Sequence, residues 1–274
     1  MTLKTRNQLL NFFFIASVVA VAVTLIFFII SITRGTIITP PDYRIPPILA
    51  RLPLAKPHFI ALMLSFAILM LYIPVCFFMI LHYFENTQTS EIIFFTGFLI
   101  GALAELSRFL TICFGLWQTF SNILIFSGKI VLFGRTIIPL SFVCASLFSD
   151  TSQRQDVERN YMILVLASIV FAIVIPMNTA RISSTGLVTE GFMVLINILR
   201  ILLALVAFFS FFTHGIKKNN ADYKQIAYSF LLLIAGYAVV VSADTFLLLI
   251  PGTVLLFFGT YQYLKNLHKM YMWS

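Results

Sequence analysis

Five ionisable side chains, Glu105, Arg108, Lys129, Arg135 and Arg200, sit inside otherwise apolar stretches of the sequence. A charge at the centre of a bilayer costs about 2.5–3.5 kcal/mol on insertion scales, so each of these groups needs a partner, water or an interface. One acid faces four bases, which leaves an excess of three positive charges. Glu105 can answer Arg108 on its own helix, or Lys129 at a matching depth on an antiparallel neighbour, but it cannot neutralise every base. Arg135 and Arg200 then require another anion. Asp244 or Glu190, backbone carbonyls with Asn197 and water, or a bound carboxylate or phosphate would each serve, and a planar guanidinium matches the last two well. The chemistry on offer is therefore anion recognition, with Arg135 and Arg200 as the contacts and Arg108, Lys129, Glu105 and Asn197 around them. The same residues also read as helix-to-helix glue, in which Glu105 and Arg108 neutralise each other.

Catalytic signatures are missing. The sequence has no H-E-x-x-H, G-x-S-x-G, P-loop or G-x-G-x-x-G, and His58, His82, His214 and His268 all fall at the ends of apolar spans. Cys76, Cys113 and Cys144 lie singly within apolar stretches without C-x-x-C spacing, so neither a metal nor a cofactor is expected. The 18 Lys and Arg residues against 10 Asp and Glu do not form a basic stripe, which argues against nucleic acid and marks them as topology signals.

The elements that carry these charges are membrane helices. With 60% hydrophobic and 10% charged residues, the chain departs far from the soluble norm of about 25% charged. The apolar runs predict an all-α, polytopic transmembrane bundle of about eight helices forming a single integral membrane domain. They cover approximately 9–32, 58–82, 91–114, 122–148, 161–177, 190–213, 225–241 and 246–264. A proline-rich basic linker, 33–57, follows the first, and a polar loop from Ser149 to Asn160 precedes the fifth. Lys4 and Arg6 before the first run resemble a secretory leader, but a run from Leu9 to Ile32 is about twice a leader's length and is read as a retained helix. The seventh and eighth runs are parted only by Ser242 to Thr245, where Asp244 is placed to cap the last helix.

Helical phase sharpens this picture. At about 100° per residue, Gly97, Gly101, Ala104, Glu105, Arg108, Thr111 and Gly115 share one arc of the third helix. The opposite face, Phe95, Leu99, Leu103, Leu106 and Leu110, is smooth and is expected to meet lipid. Glu190, Met193, Asn197, Arg200, Ala204 and Ala207 make a second polar-and-small stripe on the sixth. Lys129 and Arg135 are six residues apart and so lie about 120° from each other around the fourth. Pro74, Pro139, Pro176 and Pro251 fall in or at the edges of helices, as kinks or as hinges around a site.

Counting bases on alternate sides gives nine (Lys4, Arg6, Arg154, Arg159, Lys217, Lys218, Lys224, Lys265, Lys269) against five (Arg34, Arg44, Arg51, Lys56, Arg181). That asymmetry predicts a multi-pass protein of the cell inner membrane with both termini in the cytoplasm. The expected function is a receptor-like or accessory protein that binds an anionic small molecule or a lipid headgroup in a buried cationic pocket. The alternatives are a secondary transporter for an anionic solute and, third, an intramembrane enzyme using Glu105. Membrane lipid is the expected partner, nucleic acid is not, and nothing in the sequence identifies a protein partner.

Overall fold

The computed structural model describes residues 3–37, 56–85, 87, 89–117, 121–148, 157–217 and 221–272. Within them the chain runs through α1 (Leu3–Arg34), α2 (Phe59–Tyr83), α3 (Ser90–Ala104), a single 3-10 turn (Glu105–Arg108), α4 (Phe109–Cys113) and α5 (Asn122–Leu147). It continues through α6 (Val157–Val174), a hairpin of β1 (Met177–Ile182) and β2 (Val188–Glu190), then α7 (Met193–Lys217), α8 (Ala221–Val241) and α9 (Phe246–Met272). Counting α3, the turn and α4 as one span, eight helical segments are long and apolar enough to cross a membrane. The fold is an all-α bundle, as hydrocarbon demands of a chain whose backbone groups must be satisfied internally. Most of the linker 33–57 and most of the loop from Ser149 to Asn160 lie outside the described residues.

Helix ends carry local signals. Gly35 and Gly115 take φ of 62° and 60°, and the residues after them close the last turns, Thr36 N donating to Ser31 O and Leu116 N to Thr111 O. This left-handed ending requires glycine in all but rare cases. Thr36 Oγ1 also donates to Cys113 O, which brings the ends of α1 and α4 together on the side of the hairpin. On the opposite side, Arg6 donates to Phe84 O at 2.6 Å and to Glu85 O at 2.9 Å, capping α2, while Tyr271 donates to Glu91. Both ends of the chain therefore gather on one face.

The third span is the centre of the bundle. Most of its residues are buried, whereas few are in α1 and α7, and of the smooth face expected to meet lipid Phe95, Leu99 and Leu106 are buried and Leu103 and Leu110 half-buried. Phe95 and Leu99 are fully covered, and Phe95, Phe98, Phe142 and Tyr263 form an aromatic core with ring centroids 5.4–6.3 Å apart. Lipid tails and leucines are equally apolar, so composition alone does not distinguish a helix that faces lipid from one wrapped by other helices.

Glycines set two close helix crossings. A Cβ at Gly101 would lie 2.6 Å from Gly134 O, and one at Gly134 would lie 2.5 Å from Gly101 O, so α3 and α5 meet backbone to backbone. In α8 and α9, a Cβ at Gly236 would collide with Leu256 N, and one at Gly259 would stand 2.5 Å from Leu233 N. Gly101→Leu is expected to cost about 1–3 kcal/mol by forcing α3 and α5 apart. Gly128→Ala, whose new methyl would stand 3.3 Å from both Met177 Sδ and Val188 Cβ and collide with no backbone, is expected to cost less. Thermal melting of the two variants in one detergent checks the contrast, and equal melting would deny the α3–α5 contact its role.

A hairpin stands where the sequence predicts the start of the sixth helix. β1 and β2 pair antiparallel with Met177 opposite Glu190, so Glu190 stands on a strand and α7 begins later, at Met193. Val188 and Met177 rest against Gly128, which lays the hairpin across the end of α5.

Candidate functional site

The α3–α5 crossing builds the site. Glu105 is one turn beyond Gly101 and Arg135 is next to Gly134, so the close approach of the two backbones brings these side chains into contact. Arg135 Nε donates to Glu105 Oε1 at 2.6 Å, and its Nη2 to Oε2 at 3.3 Å. Glu105 opens the 3-10 turn, whose three residues per turn stack positions i and i+3. Arg108 consequently sits over Glu105, its Nε 2.8 Å from Oε2. The phenol of Tyr237, from α8, donates to Oε1 at 3.1 Å. Glu105 is wholly buried, and both of its oxygens are engaged.

Arg108 is equally buried and acts as a strut. Its Nη1 donates to Val241 O at 3.0 Å and to Thr185 O at 3.3 Å, joining α3 to the end of α8 and to the hairpin tip, while Phe66 lies 5.1 Å beneath the guanidinium carbon. Its Nη2 has no hydrogen-bond partner among the described residues. Helix-to-helix glue therefore describes Arg108 well.

Arg200 has a different counter-ion. Its Nη1 and Nη2 donate to the two oxygens of Glu190 at 2.6 and 2.7 Å, and Nη1 also to Asn197 Oδ1 at 3.0 Å. Its Nε is buried without a partner among the described residues. The hairpin register supplies this contact, because Glu190 opposite Met177 is carried to the head of α7.

Two of the sequence expectations are corrected. Lys129 does not approach Glu105 but donates to Ile173 O at 2.8 Å and to Ile175 O, closing the end of α6. The rotation between Lys129 and Arg135 decides this, since the face of α5 that meets α3 carries Arg135 and the other meets α6. Asp244 does not cap α9, because Thr245 Oγ1 accepts from Leu248 N while Asp244 Oδ2 accepts from Ser184 Oγ at 2.7 Å. Asp244 instead secures the hairpin tip.

Arg135 and Arg200 meet at a cavity of about 250 Å³ between α5, α7 and α8. Asn197, Tyr237 and Ser242 supply the rest of its polar lining, and Ile138, Pro139, Ile201, Ala204, Ile234, Ala238 and Val241 its apolar walls. Asn197 gives its oxygen to Arg200, which leaves the amide NH2 as the group it can offer a ligand. Pro139 has no N–H to donate to the carbonyl of Arg135 four residues before it, so the helix ladder is interrupted at the arginine. The cluster of Arg108, Arg135 and Arg200 with Glu105 and Glu190 sums to one net positive charge. Arg108 and Lys129 do not line the cavity, and Glu105 reaches it only through Arg135 and Tyr237.

Tyr237 is not among the residues that the sequence singles out. The available signal was a hydroxyl-bearing ring flanked by small residues, Ala235, Gly236 and Ala238, in the middle of an apolar span. Among the described residues no group of three or more His, Cys, Asp or Glu stands together as a metal site.

No protein family matches this chain, and neither the curated proteins nor the solved structures contain a significant match to it.

Proposed function

We propose that this multi-pass membrane protein binds an anionic ligand or lipid headgroup in the cavity between α5, α7 and α8, in a receptor-like or accessory role. One observation carries the reading: Arg135 and Arg200, far apart in sequence, line the same cavity, within a cluster one positive charge in excess. Arg135 and Arg200 each have a carboxylate partner, and the surplus arises because Arg108, behind the cavity wall, shares Glu105 with Arg135; in a low-dielectric site that shared carboxylate leaves room for a further anion beside Arg135. A transporter for an anionic solute is the second reading. Pro139 favours it, because an interrupted helix ladder on the cavity wall is a place where α5 can bend.

The test separates binding from folding. Arg200→Lys keeps the charge but loses the planar fork, held by Glu190 in the ligand-free structure, that a carboxylate or phosphate would take over with two bonds. Wild type, Arg135→Lys and Arg200→Lys are melted with and without phosphate, carboxylates and anionic lipid. A ligand at a hundred times its dissociation constant stabilises by about 2.7 kcal/mol, and the lysine variants are expected to lose most of that shift while folding normally. No shift for wild type with any of these anions would remove the reading.

The base count supports a cytoplasmic location for the face that carries both termini, and with it the inner membrane. A cytoplasm-active reporter fused after Tyr83 is expected to give signal and one fused after Gly115 none. The reverse pattern would invert the orientation.

A further inference from the structure

Resting on the anion-site reading, we propose that the occupant is an amphiphile with a singly charged oxyanion head on an apolar tail, which enters from the bilayer between α7 and α8. The charge follows from the cluster itself, where three arginines face two carboxylates and one monoanion completes neutrality. A doubly charged head would overshoot and leave a bare negative charge out of water.

The tail follows from the shape and depth of the opening. At the rim, Ile201 is 60% exposed, and Ala238 and Ser242 are exposed beside it. Ile201 lies eight residues into α7, and thus about 12 Å below its start at 1.5 Å per residue. The opening runs from that depth up to Ser242, one residue past the end of α8, so its deeper part gives onto hydrocarbon and its upper part onto the headgroup zone. The outward face of α7 agrees, since Val194, Leu195, Ile198 and Leu202 are exposed and apolar around the rim. On the water side the hairpin lies across the end of α5, tied down by Ser184 to Asp244 and by Glu190 to Arg200. A cavity of about 250 Å³ houses a head and the first few methylenes, and the remainder of the tail stays among the lipids. A hydrophilic anion would have to cross the apolar rim without its hydration shell, whereas an amphiphile is already concentrated at it.

The experiment uses the full chain in phosphatidylcholine nanodiscs, with decanoate, acetate, decyl phosphate at mildly alkaline pH and decyltrimethylammonium as probes. Decanoate is expected to raise the melting temperature at concentrations about a hundredfold below those at which acetate acts, each buried methylene adding to the preference. Decyl phosphate, doubly charged, is expected to bind no tighter than decanoate, and decyltrimethylammonium not to bind. A decanoate carrying a mid-tail diazirine is expected to label peptides around Ile201 and Ala238, with the label reduced about tenfold in Arg200→Lys. Ala238→Trp, which plugs the exposed rim, is expected to abolish labelling, and Ile201→Trp is the second plug if the first fails to fold. Acetate acting as strongly as decanoate in an Arg200-dependent way would overturn the amphiphile while leaving the anion site intact. Decyl phosphate binding far tighter than decanoate would overturn the single charge. No Arg200-dependent binding of any probe would overturn both the amphiphile and the anion site. Equal action of decanoate and decyltrimethylammonium would reduce the effect to detergent-like partitioning and end the proposal.

Discussion

Glu105→Gln is expected to destabilise the protein by about 3–5 kcal/mol, the usual consequence of removing one partner from a buried ion pair. The amide keeps the size of the side chain and one acceptor oxygen, so packing is nearly unchanged and the loss is electrostatic. The site would then hold three guanidiniums and one carboxylate, Glu190, with Arg108 and Arg135 both left without their counter-ion. Glu85→Gln, at an exposed position, is the control and is expected to change stability by less than about 0.5 kcal/mol. Thermal melting in one detergent compares the two, and similar melting would show that Glu105 is not the keystone of the charges. The double variant Glu105→Gln with Arg135→Gln returns the cluster to one net positive charge. It is expected to recover part of the loss, and a double-mutant cycle measures the Glu105–Arg135 coupling directly.

Glu190→Gln is expected to move stability and affinity in opposite directions. Glu190 occupies both terminal nitrogens of Arg200, the geometry in which a ligand's carboxylate or phosphate would bind. Neutralising it raises the cluster from one to two net positive charges and frees those donors. Anion affinity is then expected to rise about tenfold or more, while the ligand-free protein loses about 1.5–3 kcal/mol with its charged hydrogen bonds. Calorimetric titration with decanoate or phosphate reads the first quantity and melting the second. Unchanged or weaker binding would show that Glu190 and the ligand do not compete for Arg200.

Ionisable groups announce themselves in apolar sequence, which is why Glu105, Arg108, Arg135 and Arg200 were legible from the chain alone. Their pairing was not. The sequence offers Arg108 and Lys129 as partners for Glu105 and leaves Arg135 in need of another anion; the rotation of α5 about its axis, fixed by the Gly101–Gly134 contact, gives Glu105 to Arg135 instead. The glycine spacing of the third span was visible, whereas the partner glycine on α5 was one of many small residues. The 3-10 winding at Glu105 to Arg108 changes phase by about 60° over three residues, below what an α-helical projection resolves. The hairpin was hidden because Met177–Ile182 and Val188–Glu190 are short and mixed in polarity, and their pairing depends on a glycine at Gly186 with φ of 72°. With the hairpin unseen, the strand that carries Glu190 passed for the start of a helix. Tyr237 was passed over because a tyrosine in an apolar span usually does no more than fill space.

The glycine contacts between α8 and α9 have a mechanical corollary. Where Gly236 and Gly259 press against the backbone of the facing helix, no side chain separates the two, so there is nothing soft to compress and α8 is coupled rigidly to α9. α7 is held to α8 at its far end, where a Cβ at Gly215 would lie 3.0 Å from Lys224 N, while most of its surface elsewhere is turned outward. Any widening of the gap beside the cavity is therefore a swing of the near half of α7 about its Gly215 end, against a fixed α8. The Glu190–Arg200 pair ties the near half of α7 to the hairpin that leads into it, so that half and the hairpin move together.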